Sequence, residues 1–169
     1  MKKNYTRFIV YAAVIAALYA VLTHLQNILL PGSASMAIQM RISEALCVLA
    51  FFTPAAIPGL SIGCLVFTLT FAGTLPLDFL VGTLATYLAA QGMWLTRNLT
   101  VKGYPLLGML LPALTNAILV GWELSVYIGG GFWLNAVYVA IGEAVVLLVL
   151  GTALYYGLKR RSLAEKLFS

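Results

Sequence analysis

Long apolar runs recur along this chain, separated only by short polar or basic links, and that pattern limits what it can fold into more than any motif does. The runs cover roughly Arg7 to Leu25, Arg41 to Phe52, Ala55 to Phe71, Leu77 to Leu95, Pro105 to Val126 and Phe132 to Leu158. A helix crosses the hydrocarbon core with about 20 residues at a rise of about 1.5 Å each. The 169 residues are 62% hydrophobic and 9% charged, whereas a soluble domain carries roughly a quarter charged residues. A water-soluble core of this size has no room for so much apolar surface. The sequence therefore predicts an all-α integral membrane protein, a single domain over residues 1–169 built as a bundle of six transmembrane helices. Pro54 and Pro58 cut the second run short, Gly73 and Pro76 mark the next turn, and Gly129, Gly130 and Gly131 break the chain before the last run. The stretch Ile28 to Gln39, with Pro31, Gly32, Ser33 and Ser35, reads as a loop or a partly re-entrant segment; whether it forms a lid is left open.

The few basic residues orient the bundle. Lys2, Lys3 and Arg7 precede the first run, Arg97 and Lys102 interrupt the middle, and Lys159, Arg160, Arg161 and Lys166 close the chain. Six spans place all three clusters on one side, which the positive-inside rule makes cytoplasmic, with both termini inside. The first run, basic at its start and rich in alanine, has the look of a signal peptide. No soluble mature domain follows it, so it is expected to remain as a helix in the cell membrane.

Several function classes fall away. A net charge of +5 spread over clusters between spans sets topology and does not track a nucleic-acid backbone. Cys47 and Cys64 lie in apolar stretches, His24 is the only histidine, and no metal-ligand spacing occurs, so neither a metal nor another cofactor is expected. No Walker A, GxSxG or HExxH sequence is present.

What remains is a small set of ionisable groups in an expensive environment. Of the five acidic residues only Glu165 falls in the tail. By the expected topology Arg41, Glu44, Asp78 and Glu123 share the outer leaflet. Glu143 lies deeper, roughly 16 Å along the last helix from Phe132. Gln39, Asn116, Asn135 and Tyr138 are at compatible depths, and together they suggest a polar pocket open to the outside. Each has a plainer reading. Arg41 and Glu44, three apart, can pair with each other. Asp78 after Pro76 can cap its helix. Glu123 can sit in interfacial water, and Asn116 can join helices. Trp122, Tyr127, Phe132, Trp133 and Tyr138 form either an interfacial belt or a stacking platform. In the first helix, Ala12, Ala16 and Ala20, with Ala13 and Ala17 alongside, make a small-residue stripe suited either to packing inside the bundle or to docking a partner helix.

A chain of this size with an AxxxA stripe in helix one resembles the S components of energy-coupling factor (ECF) transporters. Ile38-Gln39-Met40-Arg41-Ile42-Ser43-Glu44-Ala45-Leu46 resembles the signature of the QueT family. The runs Phe51-Phe52-Thr53-Pro54-Ala55-Ala56-Ile57-Pro58-Gly59-Leu60 and Asp78-Phe79-Leu80-Val81-Gly82-Thr83-Leu84-Ala85-Thr86 resemble it too. The resemblance implies a subunit that captures a queuosine precursor, a 7-deazaguanine such as preQ1, preQ0 or queuine, at the outer face. It also implies partners: a transmembrane coupling subunit, docked through Ala12, Ala16 and Ala20, and two ATPases that supply the energy. For such a ligand Glu44 or Glu143 can accept the adjacent N–H donors of the base. Asn116, Gln39 or Arg41 can meet its carbonyl, Trp133 can cover its ring, and Asp78 or Glu123 can hold an ammonium. The competing readings are an S component for another vitamin-like or purine-like solute, a stand-alone secondary carrier with Glu143 as proton site, and a structural subunit without a ligand.

Overall fold

The computed structural model describes residues 2–31 and 40–160. Among them the regular structure is helical. Helix α1 is Lys2–Leu29, α2 Ala56–Thr70, α3 Asp78–Thr96, α4 Leu106–Tyr127, α5 Phe132–Val146 and α6 Thr152–Arg160. A 3₁₀ segment, Ile42–Phe51, precedes α2, and a π-helical turn, Leu147–Gly151, joins α5 to α6. Three helical stretches are long and apolar enough to cross a membrane: Tyr5–Leu29, Leu106–Tyr127 and Phe132–Arg160.

Consecutive helices are neighbours. α1 packs on α2, α2 on α3, α3 on α4 and α4 on α5, while among the described residues α1 makes no close backbone approach to α4, α5 or α6. The 3₁₀ segment occupies the space inside this open row and touches every helix. Its burial follows from that position: Ser43, Glu44, Ala45, Cys47, Val48, Leu49, Ala50 and Phe51 are all buried.

The second apolar run thus differs from the α-helix expected for it. Its backbone bonds close over three residues, as in Glu44 N–H to Arg41 C=O and Phe52 N–H to Leu49 C=O, both at 3.0 Å. Such a helix rises about 2.0 Å per residue, so ten residues reach about 20 Å where an α-helix would reach about 15 Å. Residues three apart eclipse in it, and Glu44, Cys47 and Ala50 fall on one buried line.

Small residues set the helix seams. A Cβ on Gly59 would lie 2.8 Å from the Ala12 carbonyl oxygen, and one on Gly63 2.8 Å from that of Ala16. The matching order of these pairs makes α1 and α2 parallel. α4 and α5 approach as closely, where a Cβ on Gly121 would lie 2.8 Å from the Ala136 Cα. The last apolar run is one continuous helical rod widened by the π turn. Gly151 in that turn sits against Met109 Sδ and Val48 Cγ2, each 3.3 Å from where its Cβ would be. At one end of the bundle Lys159 Nζ donates to the Gly103 carbonyl at 3.2 Å, which ties the loop after α3 to the end of α6. At the other, Asn135 Nδ2 donates to the Gly129 carbonyl at 2.8 Å and closes the triple-glycine turn, where all three glycines have φ between 80° and 89°. Only a residue without Cβ adopts that conformation readily.

Candidate functional site

Four of the helices, α1, α3, α4 and α5, turn polar residues inward. On α1 Tyr19, Thr23 and Gln26 follow one another at helical spacing and all are buried. Thr23 Oγ1 donates to Ser43 Oγ at 2.7 Å. Gln26 bridges the entry to the 3₁₀ segment: its amide nitrogen Nε2 donates to the Met40 carbonyl and its Oε1 accepts from the Ile42 N–H at 2.7 Å. On α3 Asp78, Gly82 and Thr86 are spaced by four. On α4 Asn116 and Glu123 are seven apart and share a face. On α5 Asn135, Gly142 and Glu143 lie on the buried side.

These stripes bring Arg41, Glu44, Asp78, Asn116, Glu123 and Glu143 into the interior, none of them more than 4% exposed. Arg41 Nη2 lies 3.5 Å from both carboxylate oxygens of Asp78. Gly82, one turn on from Asp78, leaves room for this pair: its Cβ would lie 2.8 Å from Asp78 Oδ1. Arg41 thus pairs with Asp78 of α3, on another element. Asp78 gives its carboxylate to Arg41 and makes no side-chain cap.

Glu44 is held at both ends. The Tyr19 hydroxyl donates to Oε1 at 2.5 Å and the Cys47 thiol to Oε2 at 3.1 Å. The thiol reaches it because the 3₁₀ segment eclipses residues three apart. Asn116 Nδ2 donates to both oxygens of Glu143, at 2.8 and 2.7 Å. Its Oδ1 is buried with no hydrogen-bond partner among the described residues, and the same is true of both Glu123 oxygens. Glu123 is therefore not an interfacial group in water. Arg41 is the only buried basic side chain among the described residues, set against four buried carboxyls.

Other expected residues lie elsewhere. Trp133 is 80% exposed and Tyr138 37%. They sit on the outward side of α5, away from the buried face that carries Asn135 and Glu143. Asn135 is committed to the glycine turn. Gln39 is outside the described residues. Ala12, Ala16 and Ala20 are buried, with Ala12 and Ala16 seated against Gly59 and Gly63 of α2, so this stripe is a seam within the chain and presents no free docking face here. Ala13 and Ala17 are exposed. Among the described residues the four carboxyls are buried. A cavity of about 290 Å³ lies between the end of α1 and the π turn and is lined almost wholly by apolar residues such as Leu30, Ile42, Val146 and Val149. It does not touch the carboxyls.

The sequence pattern does not mark Tyr19, Thr23 or Gln26 as site residues, and it shows Ser43 only within the family-like run and Cys47 only as a thiol in an apolar stretch. The first three form a polar stripe in an otherwise apolar helix, and that signal was available. The roles of Ser43 and Cys47 depend on the 3₁₀ register.

A profile described as QueT transporter matches residues 9–160. The Queuosine precursor transporter QueT of Lactococcus lactis subsp. cremoris (strain MG1363) is 38% identical over 89 residues, which are 51% of this chain and 48% of that protein. The chain thus spans about half the length of the curated relative it matches. No solved structure matches it.

Proposed function

Because the chain belongs to the QueT transporter family, we propose that it takes up a queuosine precursor, a 7-deazaguanine, as the substrate-binding membrane subunit of an ECF importer. Membership makes it a transport protein and not an enzyme. The finer reading has six spans, both termini in the cytoplasm of the producing cell, and a site reached from outside. The observation that carries it is the Asn116–Glu143 pair. A guanine-type edge offers adjacent N–H donors and a carbonyl. Glu143 has lone pairs beyond those used by Asn116, and the Asn116 Oδ1 has no partner. Glu44 already accepts from Tyr19 and Cys47, so it positions the 3₁₀ segment while Glu143 and Asn116 read the base. Energy from separate ATPases, delivered through a transmembrane coupling subunit, fits a chain with no nucleotide-binding motif of its own.

Thermal melting of the detergent-purified protein tests the ligand. A 7-deazaguanine should raise the midpoint, since only the native state binds it, and Glu143→Gln or Asn116→Ala should cut affinity by roughly tenfold to a hundredfold. Stabilisation by a vitamin or an ordinary purine, with none by deazaguanines, would move the assignment to another solute. Uptake by vesicles holding this chain alone, without ATPases, would replace the importer subunit with a self-sufficient carrier.

A further inference from the structure

Glu123 is the buried ionisable group whose needs nothing among the described residues meets. Its side chain is fully buried and both oxygens lack a hydrogen-bond partner among the described residues. An unpaired carboxylate is among the costliest groups to bury. Every other buried carboxyl is engaged: Asp78 with Arg41, Glu44 with Tyr19 and Cys47, and Glu143 with Asn116. Arg41 is within electrostatic reach of Glu123 but makes its ion pair with Asp78, and no second basic side chain is buried among the described residues.

The orphaned atoms of the cluster share one chemistry. Glu123 Oε1 and Oε2 are acceptors only, and so is Asn116 Oδ1. The Asn116 amide turns its NH₂ to both Glu143 oxygens, at 2.8 and 2.7 Å. The oxygen must then face away from Glu143 and await a donor. Asn116 and Glu123 stand on one face of α4, seven residues and so about 10 Å apart along the axis. The site lacks donors at two points, and at the second it lacks a positive charge.

We propose that Glu123 binds an ammonium group of the substrate, so that the protein selects cationic, amine-bearing 7-deazaguanines over neutral ones. This rests on the deazaguanine reading above and deepens it. The base lies at Asn116 and Glu143, and its substituent arm runs along α4 to Glu123. Asp78, the other acid that could have served, is neutralised by Arg41.

Titration calorimetry of the full-length protein in detergent would compare 7-aminomethyl-7-deazaguanine with its neutral 7-cyano counterpart. The amine should bind more tightly by about tenfold or more, the range of a hydrogen bond to a charged group. Glu123→Gln should collapse that preference, while the melting temperature of the ligand-free variant stays level or rises because an uncompensated buried carboxyl has been removed. Equal binding of the two ligands by the native chain, or an amine preference that survives in Glu123→Gln, would overturn the ammonium assignment and leave the deazaguanine reading standing. Failure of both ligands to bind would overturn the deazaguanine reading and the assignment with it.

Discussion

A single arginine shows how differently a residue behaves once its surroundings are known. Arg41 is buried beside Asp78 at 3.5 Å, and removing one partner from such a pair strands the other charge. Arg41→Met should therefore cost about 3–5 kcal/mol, read as a lower melting temperature in detergent, and Arg41→Met combined with Asp78→Leu should recover most of the loss. If the double variant were no more stable than the single one, the pair would not be the reason for the burial. Tyr19 supports Glu44 through its hydroxyl. Tyr19→Phe keeps the ring and removes the donor, and should cost about 1–3 kcal/mol, as for any buried acceptor left unsatisfied. The arginine and its carboxyls could be picked out in the sequence because charge is rare in an apolar span. Which carboxyl the arginine would choose could not, since Glu44 is three residues away and Asp78 is thirty-seven, and only packing brings the distant one closer.

Among the elements, the 3₁₀ segment and the glycine seams control the site. The segment lines up Glu44 and Cys47 and carries Arg41 at its entry, so every helix that touches it contributes to the geometry of the cluster. Its seams depend on missing side chains. A Cβ at Gly63 would sit 2.7 Å from the Tyr19 Cβ and 2.8 Å from a backbone oxygen of α1, and neither can yield without moving the helix that holds Tyr19. Gly63→Val should cost about 1–3 kcal/mol, in the range for overpacking, and should weaken ligand binding as well as stability. By contrast, Gly129, with open space around it, has only its φ of 89° to lose, so Gly129→Ala should cost about 1 kcal/mol and leave binding intact. Paired melting and binding measurements on both variants check this. The sequence marks these glycines as breaks or as small residues. It does not reveal which of them face a helix at contact distance.

For the molecule as a whole, the described basic groups Arg97, Lys102, Lys159 and Arg160 gather at one end. The Lys159–Gly103 bond joins two of the links that carry them, and the Arg97 guanidinium lies 3.8 Å from the centre of the Trp94 ring. The triple-glycine turn is at the opposite end. In cells, a cysteine placed at Gly130 should react with a membrane-impermeant maleimide from outside, and one placed at Asn98 only after permeabilisation. The native Cys47 and Cys64 are fully buried and free, so they add little background. Labelling of both positions from one side would overturn the six-span arrangement.

The sequence alone determined the solvent, the helical class and the scarcity of charge, because these follow from composition and from runs of apolar residues along one dimension. It also singled out Arg41, Glu44, Asp78, Asn116, Glu123 and Glu143, since a polar group in lipid stands out wherever it is written. Tertiary structure decided which of them pair, that the Ala12–Ala16–Ala20 stripe closes against α2, that Trp133 and Tyr138 face outward, and that Glu123 has no hydrogen-bond partner among the described residues. Those outcomes depend on distances between residues far apart in the chain and on a 3₁₀ register that apolar periodicity cannot distinguish from an α-helix. A hydrogen bond needs its partner within about 3 Å, and no pattern along the chain specifies that separation.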